Sequence, residues 1–116
     1  MGPILYPGQP LPLAGSVNSS LGLCQLQLQE TGLFVLYQGQ SYPVPNLTGF
    51  SLTTEAVLET TGLVVLGNPQ PQSINFGFNV LALEVQNDGE VQVFSQGGGY
   101  VNLLTYVVGE ATTQVA

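Results

Sequence analysis

The chain has 116 residues, with seven acids and no Lys, Arg or His, for a formal net charge of −7. Without cations it cannot neutralise phosphates, which excludes nucleic-acid binding and electrostatic attraction to anionic lipid. Without His or Lys it cannot run Ser-His-Asp, Cys-His, Schiff-base or P-loop chemistry, or build a His-rich metal site.

Taken from the N-terminus, MGPILYPGQPLPLAG has no basic leader region and carries four prolines, so it does not read as an intact signal peptide. Pro3 after Gly2, with Tyr6 following, argues against myristoylation. Asn18-Ser19-Ser20 and Asn46-Leu47-Thr48 are N-glycosylation sequons, compatible with an extracellular or cell-surface location. The single cysteine, Cys24, cannot close an intrachain disulfide. Within LGLCQLQLQ it reads as a small buried hydrophobe, with an intermolecular bridge as the alternative.

Three hairpins follow. LQLQETGLFVLYQGQ runs from Leu26, AVLETTGLVVLGNPQ from Ala56 and LEVQNDGEVQVFSQG from Leu83. Each has an apolar arm, a short polar turn ending in Gly (Gly32, Gly62, Gly89) and a second apolar arm. Leu26/Leu28, Phe34/Leu36, Val64/Leu66, Leu83/Val85 and Val91/Val93 recur at the period of two that marks strands. SLTTEAVLETT, from Ser51, is the one stretch that could pass for a helix, with Thr53 or Thr54 as a cap, but its place as the first arm of the second repeat argues for a strand. The repeat glycines lie 30 and then 27 residues apart. Three units of this size, none able to bury its own apolar side, predict one all-β domain with pseudo-threefold symmetry. A β-prism and a β-trefoil both meet that description, and the short unit favours the prism. No apolar run approaches the ~18–20 residues of a membrane-spanning helix, so membrane insertion is not expected.

The repeats resemble those of the bulb-type (B-lectin) mannose-binding lectins, which carry Gln-x-Asp-x-Asn-x-Val-x-Tyr across a hairpin in each of three subdomains. ILYPGQPL is similar to that family's opening strand and turn, and YPVPNLTGF falls where its first repeat ends. The resemblance implies a β-prism II fold: residues 1–116 as a single lectin-like domain, with three hairpin-based subdomains near 26–40, 56–70 and 83–97. Carried over by position, Gln29, Val35 and Tyr37 are in place in the first unit, while Thr31 and Leu33 stand where Asp and Asn belong. The second unit has Glu59, Thr61, Leu63, Val65 and Gly67 at the five positions, of which only Val65 matches. In the third, Gln86 and Asp88 match, and Glu90, Gln92 and Phe94 replace Asn, Val and Tyr. The family's usual disulfide and tryptophans are missing, since the chain has one Cys and no Trp.

The motif's chemistry is direct. Vicinal hydroxyls of a sugar need fixed donors and acceptors, and an apolar floor meets the C–H face of the ring. Leu33 in place of Asn removes a donor and an acceptor together, at about 1–3 kcal/mol for each group left unpaired. The candidate sugar-binding residues are therefore Gln86, Asp88, Glu90, Gln92 and Phe94, with Gln29 and Tyr37. A Ca²⁺ site from Asp88, Glu90 and nearby carbonyls is one alternative; an Asp-Gly hairpin turn with a solvated acidic face is another. No metal or other cofactor is expected. Leu33, Val35, Leu63 and Val65 are expected on the sugar side of the first two hairpins, opposite Phe34/Leu36 and Val64/Leu66, and become candidate interface residues. Only 6% of residues are charged, so little repulsion keeps copies apart. The resemblance implies a self-associating, lectin-like carbohydrate-binding module with degenerate mannose sites and glycans as partners. The alternative is a structural or assembly protein using the same scaffold in an extracellular fibre, coat or mucus. An enzyme is not expected, because paired carboxylates beside one tight turn are poorly placed for acid–base work.

Overall fold

The structure, a computed structural model, describes residues 2–105. The strands in chain order are β1 (Ile4–Leu5), β2 (Pro10–Pro12), β3 (Ser16–Asn18), β4 (Cys24–Gln29), β5 (Gly32–Tyr37), β6 (Gln40–Thr48), β7 (Leu52–Leu58), β8 (Gly62–Asn68), β9 (Gln72–Asn75), β10 (Val80–Val85), β11 (Val91–Ser95) and β12 (Tyr100–Asn102). They form three four-stranded antiparallel sheets, ordered β3-β4-β5-β6, β2-β7-β8-β9 and β1-β10-β11-β12. Each repeat supplies the two central strands of one sheet. The ambiguous stretch after Ser51 is strand β7, and the hydroxyl of buried Thr53 there donates to the Gln29 carbonyl at 2.7 Å.

Alternation sets which side of each hairpin is inside. On β4, Cys24, Leu26 and Leu28 are buried, while Gln25, Gln27 and Gln29 face outward, half-buried. Side chains from all three sheets join one apolar cluster that includes Leu5, Leu28, Leu58, Leu83 and Leu103. Among the described residues the buried polar ones are Ser19 and Thr53, and no buried side-chain polar atom lacks a partner.

The turns differ in length, and that decides the faces. In the first hairpin Gln29 pairs with Gly32 across the two-residue turn Glu30-Thr31. In the second, Glu59 and Gly62 exchange backbone bonds of 2.7 and 3.4 Å across Thr60-Thr61. In the third, Gln86 donates to the Glu90 carbonyl at 2.8 Å, leaving three residues, Asn87-Asp88-Gly89, in the turn. The glycines are therefore not equivalent. Gly32 and Gly62 begin the second arm, where a Cβ would run into the Leu47 and Ile74 carbonyls of the neighbouring strand; Gly89 is a turn residue with φ +94°, packed on the Tyr37 ring. A shift of one residue moves a strand's side chains to the other face. Leu33, Val35, Leu63 and Val65 accordingly point into the core at 0% exposure, which corrects the expectation that they form an outer, interface side. The outward residues are Phe34, Leu36, Val64 and Leu66.

Each of the first two turns is held by the next repeat. The Glu30 and Thr31 carbonyls accept from the Thr53 and Phe50 amides at 3.0 and 3.1 Å; those of Thr60 and Thr61 accept from Val80 and Phe76 at 2.7 and 3.1 Å. The third turn reaches back to the first repeat through side chains: Asn87 accepts from the Leu21 amide and donates to Ser20 Oγ, both at 3.0 Å.

Candidate functional site

The three-residue turn and the alternation of β10 and β11 bring most of the expected polar residues onto one outward surface. Glu84 pairs with Gln92, which pairs with Asn102; Ala82 pairs with Phe94, which pairs with Tyr100. Gln86 and Glu90 lie at the turn end of the same face. Hydrogen bonds link them in series: Gln86 Nε2 donates to Gln92 Oε1 at 3.2 Å, and Gln92 Nε2 donates to Glu90 Oε1 at 2.9 Å. Asp88 Oδ1 accepts from the Glu90 amide at 3.0 Å. The two carboxylates are thereby engaged by separate donors, one by a backbone amide and the other by a glutamine. At the far end of the face the Phe94 and Tyr100 rings lie 5.6 Å apart between centroids, tilted by 48°. The result is a run of donors and acceptors beside an aromatic ledge, all half-buried apart from the exposed Asp88.

Gln29 and Tyr37 lie elsewhere. Gln29 donates through Nε2 to Gln27 Oε1 at 3.2 Å, beside a cleft of about 570 Å³ bordered by Leu13, Ala14 and Glu30. Tyr37 is at the other end of its hairpin, paired with Cys24. Its ring faces Gly89, close enough that a Cβ there would sit 2.7 Å from it, and its hydroxyl accepts from Gln38 Nε2 at 3.3 Å. The third hairpin's turn therefore covers Tyr37, which packs against the core as well. A second groove, of about 360 Å³, runs between Leu23, Leu36 and Gln40.

The Cys24 thiol is buried and free. Burial and then the negative charge of Asp88 push its pKa up, against a smaller opposing effect from the Gln25 backbone. Among the described residues no three His, Cys, Asp or Glu side chains gather as metal ligands would. None of the described residues forms a helix long and apolar enough to cross a membrane.

Sequence reasoning missed the outward side of the first sheet. There Ser16, Gln27, Phe34 and Pro43 form one cross-strand row, and Asn18, Gln25, Leu36 and Ser41 the next. The signal was present in the Gln-x-Gln-x-Gln spacing of β4. Tyr100 and Asn102 lie on β12, beyond Gly97 where the third repeat ends, and no repeat spacing points to them. No family model, no characterised protein and no solved structure matches the chain.

Proposed function

We propose that the chain is an extracellular carbohydrate-binding module of lectin type, its three sheets arranged as a β-prism II. Its glycan site is the outward face of β10, β11 and β12. The observation that carries this reading is the hydrogen-bonded series Gln86–Gln92–Glu90 ending beside the Phe94–Tyr100 pair. Gln92 presents a donor and an acceptor at fixed positions, Glu90 adds an acceptor, and the rings offer an apolar surface to the C–H face of a sugar. Partial burial of Gln86, Glu90 and Gln92 limits their motion, which lowers the ordering cost of binding. A glycan array followed by NMR titration tests the site. Gln92→Ala and Phe94→Ala should each weaken binding by about 1–3 kcal/mol, the cost of an unpaired polar group or a lost stacking surface, while Leu66→Ala on another sheet leaves it unchanged. Absence of any glycan bound at millimolar concentration overturns the reading.

A second reading, assembly, is favoured by the outward side of β2-β7-β8-β9. Pro10, Val57 and Val64 form a continuous apolar cross-strand row, with Leu66 beside it at 36% exposure and Leu52 at 41%. That surface carries Glu55, between Pro12 and Leu66, and exposed Glu59 at its turn end, and apolar patches of this kind mark interfaces.

A further inference from the structure

We infer that Asn46 is an N-glycan attachment site of this chain and that Asn18, the other sequon, is not. The inference does not depend on whether the protein itself binds sugars, and relies on the extracellular reading only for where the modification would occur in nature. The two sequons have opposite surroundings. Asn18 is half-buried on β3, and its Oδ1 accepts from Ser16 Oγ at 3.2 Å. The hydroxyl of that sequon, Ser20 Oγ, is taken by Asn87 Nδ2. Both halves of the motif are thus used by the fold, the second to hold the turn of the third hairpin.

Asn46 stands at an interruption of β6. Gly32 pairs with Thr48 and Phe34 with Pro43, so the four residues 44–47 lie opposite Leu33 alone. Val44 and Leu47 turn into the core; Asn46 takes φ +67° and is exposed. Asn tolerates this left-handed conformation better than most residues, which accounts for the backbone and leaves the amide unused. Among the described residues neither the Asn46 amide nor the Thr48 hydroxyl forms a hydrogen bond. β6 is also the outer strand of its sheet.

The chemistry is transfer from a lipid-pyrophosphate oligosaccharide. Asn46 Nδ2 forms a bond to the sugar C1, the bond from C1 to the pyrophosphate oxygen breaks, the lipid pyrophosphate leaves, and one Nδ2 proton passes to the transferase's base. Transfer precedes folding, so the fold decides which modified chain can reach its final packing. A glycan on exposed Asn46 breaks no side-chain hydrogen bond among the described residues, whereas one on Asn18 would crowd the contacts around Ser16, Ser20 and Asn87.

The test is expression of the full chain behind an added leader in a eukaryotic secretory host. Intact mass is read before and after enzymatic removal of N-glycans, and the attachment position is marked by deamidation. One glycan at position 46 is expected, lost in Thr48→Ala and in Asn46→Gly, which suits the left-handed backbone, and kept in Ser20→Ala. The thermal midpoint should not change when the glycan is removed. A glycan that survives Thr48→Ala, a secreted chain without any glycan, or a midpoint raised by deglycosylation overturns the inference.

Discussion

Cys24 and Asp88 come from different repeats, yet the carboxylate of one helps to keep the thiol of the other protonated. Burial does the larger part, since a thiolate inside the apolar cluster would lose its hydration. The sign of the pH effect follows. As pH rises, the unfolded thiol ionises first, near its ordinary value of about 8.5, while the folded one holds its proton. The unfolded state then binds fewer protons, so the stability present below that value is lost as pH climbs toward the raised folded value. Urea midpoints of the wild type should therefore hold steady to about pH 8 and then decline. Cys24→Ala, less stable at every pH because of the cavity, should decline less. The two chains differ in no titrating group but this one, so parallel curves would show that the thiol contributes nothing.

The hairpins themselves were legible in the sequence, because period-two apolar spacing on both sides of a polar turn leaves little else for the chain to form. The doubtful stretch after Ser51 was also settled by its place in the repeat. What could not be read by matching repeats at their glycines was the facing of the second arms. Gly32, Gly62 and Gly89 end similar-looking turns, but only Gly89 lies inside one. The Asn-Asp-Gly stretch makes a three-residue turn with glycine in a left-handed conformation, and the other two are tight two-residue turns. That one-residue difference placed Leu33 and Val35 on the wrong side, and it puts Tyr37 on the core side of its hairpin while Gln29 faces outward. For the third repeat the expected face was right, because there the extra turn residue matches the spacing assumed. The longer turn also has its own fastening, Asn87 on Ser20 and Leu21. Asn87→Ala should lower stability by about 1 kcal/mol, the net value of exposed hydrogen bonds of this kind, as read from urea unfolding. Hydrogen exchange at the Leu21 amide should accelerate in the same variant; an unchanged rate would mean that the fastening is not made in solution.

For the whole molecule, charge and surface act together. The chain has only acids to keep copies apart, and its pI is about 4.1, so acidification removes repulsion without creating attraction between unlike charges. Association should then rest on apolar surface, and the side of β2-β7-β8-β9 with Val57, Val64 and Leu66 is where it would start. Light scattering should show particles growing between about pH 6 and pH 4. Leu66→Lys, which puts a cation on that side opposite Glu55, should delay the growth, whereas Leu81→Lys on the β10 bulge should not. A chain that stays monodisperse down to its pI would remove the case for assembly.

The first eighteen residues give one strand to each sheet, and they do so in reverse. β3 joins the first hairpin, β2 the second and β1 the third, with Ile4 paired to Glu84. During synthesis β1 therefore emerges ahead of the other eleven strands and waits long for its neighbour, because β10 has yet to be made. Closing so long a loop is slow, and until it closes, the inner side of Leu5 and the margin of β10 remain uncovered. The first-made strand thus stays unpaired until β10 has emerged, a period in which the fold depends on its surroundings to keep it from other copies.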